Sequence, residues 1–156
     1  MKKIYFMLLA VVAMAMMPST MMAASLNEAA PMSVVKAGNI SGTLDVQMGS
    51  HTNTFTNFSD LTVTENSDNT INITINNLQI GSMPGKISID AKNVPLDGTT
   101  DEYTEVVTFK FLGTSYYDAE IMAKKNDDDK LYFEITTKDA KYLGVPFTAI
   151  VKFTQN

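Results

Sequence analysis

The chain has 156 residues with twelve basic and seventeen acidic side chains, one histidine and neither cysteine nor tryptophan, for a net charge of −5. Every basic residue is lysine, and the clustered cations that a phosphate backbone requires are missing. This excludes nucleic acid as a partner and disfavours anionic membrane surfaces, and without cysteine the stability must rest on packing instead of disulfides.

Lys2 and Lys3 precede an unbroken apolar run, Ile4 to Met17, which Pro18 and Ser19 end and Ala23, Ala24 and Ser25 follow. A spanning helix needs about 20 apolar residues, so this run is too short and stops at a helix breaker. Residues 1–24 read as a cleaved secretory signal, which makes the mature chain periplasmic or secreted. No cysteine is present to carry a lipid, so no stable membrane anchor is expected. Without Lys2 and Lys3 the chain carries ten lysines against seventeen acids, a net charge near −7. Residues 25–37 have no sustained period and read as a linker or N-terminal arm. Residues 38–156 suit a single domain.

From Ile40 the apolar positions alternate. Ile40, Gly42, Leu44, Val46 and Met48 share one face, and Gly49-Ser50-His51 makes a turn. The next strand runs over about 54–64, with Phe55, Leu61 and Val63 in phase and Phe58 out of phase, as a bulge or an exposed aromatic. After the polar turn Glu65–Asn69 comes the hairpin Thr70 to Lys92. Ile71, Ile73 and Ile75 alternate with polar residues, the period of a half-buried strand. Leu78 and Ile80 fall on even numbers, which predicts a bulge at Asn76-Asn77. Met83-Pro84-Gly85-Lys86 predicts a type II turn, and Ile87, Ile89 and Ala91 return.

The stretch VPLDGTTDE predicts a loop of roughly ten residues. Val107, Phe109 and Phe111 then share a face. Gly113 turns the chain, and Tyr117, Ala119, Ile121 and Ala123 line the next inner face. Asn126–Asp129 is a polar turn before Leu131, Phe133 and Ile135. A loop through Gly144-Val145-Pro146 leads to Phe147, Ala149, Val151 and Phe153, read as the final strand. No helix is predicted after the signal. About eight single-faced strands joined by short turns close most simply into an all-β, antiparallel up-and-down barrel, which leaves no open edge. A two-sheet β-sandwich is the alternative.

The run from Leu61 to Gly98, LTVTENSDNTINITINNLQIGSMPGKISIDAKNVPLDG, resembles the core of the calycin-like β-barrel domain proteins exported by Gram-negative bacteria. Gly42-Thr43-Leu44, Leu61 to Asn66, Met83-Pro84-Gly85 and Asn93-Val94-Pro95 carry the likeness, which extends through Lys130-Leu131 and the last strand. Asn69 stands where such proteins often have glycine, Lys86 where an acid or amide is common, and the Gly-x-Trp of classical lipocalins is absent. The resemblance implies a lipocalin-like barrel, with ligand binding inferred from barrel shape.

Chemistry-bearing residues are sparse. His51 stands alone in a turn, whereas a triad needs a carboxylate and nucleophile beside it and zinc needs further ligands. Asp127-Asp128-Asp129 lacks the alternate spacing, glycine and terminal glutamate of a calcium loop. Asp118 and Glu120 share a strand face at a spacing that mimics a glycosidase pair, yet surface solvation explains both. No phosphate loop or nucleophile elbow occurs, so no enzyme, cofactor or metal is expected. Alternation alone does not say which face points inward, and an outer-membrane barrel would turn the apolar face to lipid.

The expected function is an exported, non-catalytic barrel that binds a small apolar or amphipathic ligand inside. The candidate cavity lining is Leu44, Val46, Ile73, Ile75, Ile89, Val107, Phe109, Phe111, Ile121, Phe133, Ile135, Phe147 and Val151. The same residues serve equally well as a solid core. The alternative function is therefore a structural or interaction module without ligand, working through its Thr/Asn-rich surface or a patch around Phe58.

Overall fold

A computed structural model describes residues 34–156, with side chains from residue 38 onward. The proposed signal, 1–24, and residues 25–33 of the arm lie outside the described residues.

The chain forms strands β1 (Val34–Asn39), β2 (Gly42–Met48), β3 (His51–Phe58), β4 (Leu61–Asn66), β5 (Thr70–Leu78), β6 (Lys86–Pro95), β7 (Asp97–Lys110), β8 (Thr114–Lys125), β9 (Leu131–Thr137), β10 (Lys141–Tyr142), β11 (Val145–Pro146) and β12 (Ala149–Gln155). All are antiparallel. A ten-stranded sheet runs in the order β1-β4-β5-β6-β7-β8-β9-β12-β2-β3, with β10 and β11 as a separate pair.

The pairing closes a ring. β1 and β2 are one chain run bent at Ile40-Ser41, and β3 and β4 another bent at Ser59-Asp60. The lower half of this long hairpin pairs Asn39 with Thr62, the upper half Met48 with His51. β4 then joins β5, while β2 joins β12 through Leu44–Phe153 and Val46–Val151. Counting each bent run once, eight strands pass around the barrel, as the sequence predicts. The apolar face points inward. Leu44, Ile71, Ile73, Ile75, Phe133, Ile135 and Phe153 are each fully buried, and the inward residues form one contiguous core.

Several local expectations change. Val34–Ala37, read as arm, pair with β4; a register shift between Val34 and Lys36 removes any regular period. The loop expected after Lys92 is two strands meeting at Leu96. β7 starts at Asp97 and pairs with β8 from Asp97–Lys124 onward. It carries no hydrophobic alternation there because nearly all of residues 97–105 face solvent on both sides. The Thr99 O–H and N–H donate to Asp97 Oδ1 at 2.7 and 2.9 Å, and together they hold this carboxyl below its ordinary pKa. Phe147, expected in the last strand, precedes it; its N–H donates to the Ala140 carbonyl at 2.9 Å.

The Met83–Lys86 turn is also displaced. The chain reverses at Ile80–Met83, where Met83 N–H donates to the Ile80 carbonyl at 3.0 Å and Gly81 has φ +54. Gly85 is needed for a different reason. A Cβ there would stand 2.5 Å from the Phe109 ring. Phe58 resolves as the bulge reading: Asn57 at φ +56 turns it back, so that it is half-buried against the core, 6.0 Å from the Phe55 ring. The Asn76-Asn77 bulge is present, as a register shift between Ile75 and Leu78 with Asn77 at φ +54.

Candidate functional site

All of the expected cavity-lining residues except Phe111 and Phe147 belong to the single buried core. Leu44, Val46, Ile73, Ile75, Ile89, Val107, Phe109, Ile121, Phe133, Ile135 and Val151 meet one another across the barrel, with Phe133 stacked on Phe153 at 5.2 Å. Side chains therefore occupy the middle of the barrel. Phe111 is half-buried at its upper end, 6.5 Å from Phe109 and 5.6 Å from Tyr142. Phe147 is also half-buried there, edge-on to Tyr117 at 6.4 Å.

The two ends differ. At the lower end Lys125 of β8 reaches across to Glu65 of β4 at 3.1 Å and to Asp129 at 3.2 Å. Burial opposes the charge of Lys125, but the hydrogen bonds that its ammonium donates to the Glu65 and Asp129 carboxylates, with their negative charge, outweigh it and raise its pKa. The space beside this bridge, next to Ile40, Val63 and Leu131, is only about 90 Å³, room for a few waters.

The upper end gathers the β2–β3 turn, the β5–β6 loop, the β7–β8 tip and the segment between β9 and β12. A cleft of about 390 Å³ opens there, lined by Met48, His51, Asn53, Ile80, Gly81, Ser82, Met83, Pro84 and Tyr142. Its floor and one wall are apolar: buried Ile80, half-buried Met83, Met48 and Tyr142. Its rim is polar, from His51, Asn53 and Ser82. In the orientation that its partners demand, the Asn53 carboxamide oxygen accepts the Gly81 N–H and its NH₂ donates to the Thr52 carbonyl. This ties the unpaired edge of β3 to the β5–β6 loop. Tyr142 is held on the other side by Phe109, edge-on at 5.8 Å, and Tyr117 O–H donates to the Lys141 carbonyl at 2.6 Å. A volume of this size is within the range of small-molecule sites.

The other candidates have local partners. Asp118 Oδ1 accepts the Glu105 N–H at 2.8 Å, fixing the β7 bulge. Glu120 stands 3.6 Å from Lys138, which also donates to Glu102 at 2.8 Å; that hydrogen bond is the chief cause of the raised Lys138 pKa. Asn126 Oδ1 accepts the N–H groups of Asp128 and Lys130 at 3.1 and 2.8 Å, so the acidic run is the tip of a tight hairpin. No group of three or more potential metal ligands occurs among the described residues.

The mouth was hard to read in sequence. Ile80 follows the phase slip, and the pattern suggests only that it is inward. Tyr142 lies in a segment with no period at all, and nothing local says that it folds onto Phe109.

No curated protein and no solved structure matches the chain. The model of the Calycin-like beta-barrel domain matches residues 37–156. That span takes in the bent hairpin from Ala37 onward, the core and the mouth, so the chain belongs to the calycin-like β-barrel family.

Proposed function

We propose that this chain is an exported, non-catalytic binding protein that holds a small amphipathic molecule in the cleft at the barrel mouth. The observation that carries this reading is the contrast between a core filled by its own side chains and an upper cleft of about 390 Å³ with an apolar floor and polar rim. An apolar tail would lie against Ile80, Met83 and Tyr142. A polar head would meet His51, Asn53 and Ser82. Burial of the tail supplies the affinity, at about 25 cal/mol per Å² of apolar surface, and the rim supplies orientation. Export rests on the basic and apolar pattern of residues 2–17 and the small residues that follow.

Dodecanoate is a suitable first probe. We expect it to displace an anilinonaphthalene sulfonate dye from the protein, with Tyr142→Ala and Met83→Ser each weakening it roughly tenfold. His51→Gln, at the open rim, should cost less. Full affinity in both apolar variants, or no displacement by any single-chain amphiphile, would exclude the mouth as the site.

A second reading is favoured by the packed interior itself: an interaction module with no ligand. Because Phe58 is turned onto the core, its working surface would be elsewhere.

A further inference from the structure

The upper end also carries the most exposed large apolar side chains among the described residues. Leu112, at the β7–β8 tip, is 91% exposed, and Leu143 and Val145, in the β10–β11 hairpin, are 72% and 65% exposed. The two tips are neighbours, because the rings of Phe111 and Tyr142, one residue before each leucine, lie 5.6 Å apart, tilted by 38°.

Their backbone makes these leucines unusual. Leu112 has φ +52 and Leu143 has φ +50. Such angles suit glycine, asparagine and aspartate and are strained for larger residues. Elsewhere in the described chain such angles fall on five glycines and on asparagine or aspartate, at Asn57, Asn69, Asn77, Asn93, Asp129 and Asp139, with Glu105 as the other exception. Two bulky residues thus stand where the turn disfavours them and where no core contact repays the strain. Strain kept at an exposed tip points to use of the side chain itself.

The charge around the tips is positive. Lys110 and Lys141 directly precede Phe111 and Tyr142, and Lys86 pairs in register with Lys110. None of these three forms an ion pair among the described residues, whereas Lys92, Lys125, Lys138 and Lys152 all do. Asp139 is the acid of the same segment. The opposite end holds Glu65, Asp68, Asp97 and Asp127–Asp129 against Lys124, Lys125 and Lys130. The net negative charge that disfavours anionic membranes for the chain as a whole is therefore unevenly spread. Beyond about 10 Å it is screened, so the local charge governs contact.

We propose that the Leu112 and Leu143–Val145 tips dock this barrel reversibly onto an anionic lipid surface. The tips enter the headgroup layer, and Lys86, Lys110 and Lys141 meet its negative charge. Protruding single side chains suit a soft interface better than a flat protein face. A second copy would bring the same lysines against each other. The inference rests on the tips alone and is independent of the ligand reading.

The test uses the full chain with vesicles of phosphatidylcholine containing about one-third phosphatidylglycerol. Hydrogen exchange should show new protection at residues 111–113 and 141–146 on adding these vesicles, and none with pure phosphatidylcholine. Leu112→Asn with Leu143→Asn should float with the vesicles about tenfold less than the parent chain, and its melting temperature should be unchanged or higher, since asparagine suits both turns. Lys110→Glu with Lys141→Glu should lose at least about tenfold at low salt, and the parent should lose binding in about 1 M salt. Absence of protection at the tips, or equal flotation of parent and leucine variant, would overturn the proposal. So would dimerisation through the tips in sedimentation.

Discussion

Phe133→Ala is expected to lower the free energy of unfolding by about 3–5 kcal/mol, among the largest effects available to a single truncation. Phe133 is fully buried and stacks on Phe153 at 5.2 Å with the rings 20° from parallel. The two are direct cross-strand partners in β9 and β12, and Ala123 faces Phe133 from β8. Large rings are thus set against small neighbours, an arrangement that fills a narrow barrel without strain. Strands held on both sides cannot collapse into the space left by a lost ring, so both the transfer and the cavity costs are expected. Domains of this size are commonly stable by only about 5–15 kcal/mol. Urea unfolding followed by circular dichroism should show a much lower midpoint with an unchanged slope. Phe111→Ala, at the mouth, should lose far less. A loss below about 1 kcal/mol for Phe133→Ala would mean a loosely filled interior, with room for a ligand after all.

Gly42→Ala is expected to destabilise by about 1–3 kcal/mol or more, although it adds a single methyl group. A Cβ at this position would collide with the Thr154 carbonyl and stand 2.6 Å from the Phe153 ring. The carbonyl cannot yield easily, because β2 and β12 run in continuous register from Gly42–Gln155 to Met48–Ala149. The site is also where the ring closes, just past the bend at Ile40-Ser41. Gly38→Ala is the matched control. No atom lies within 4 Å of a Cβ there, so that change should stay within about 0.5 kcal/mol. Equal effects of the two substitutions, read by the same urea titration, would contradict the closure described for β2 and β12.

Positions packed on one face were legible from the residues, because burial imposes the period. Ile71, Ile73 and Ile75 read as inward and are fully buried, and the slip to Leu78 and Ile80 announced a bulge that the backbone makes at Asn77. Where no face is buried there is no period to read. Residues 94–102 look like a loop for that reason, yet Asp97 and Thr100–Tyr103 pair with β8, with a bulge on either side. Glycine is ambiguous in another way. Gly85 beside a proline suggests a turn, but the need is for a close approach by Phe109, a contact made across the sheet from β7. The candidate site was legible only in part. Eleven of the thirteen apolar candidates are buried in the core, but Phe111 and Phe147 are only half-buried at the upper end, and the mouth depends on Tyr142 and on the Asn53–Gly81 contact, both created by long-range folding.

A solid barrel with its binding site at the mouth is tested most directly by nuclear magnetic resonance of the labelled protein, titrated with dodecanoate. Shifts concentrated at the amides of Met48, Asn53, Gly81 and Tyr142, with the methyl groups of Ile73, Ile135 and Leu44 unmoved, are the result predicted. Large shifts of those interior methyl groups would put the ligand inside the barrel and contradict it.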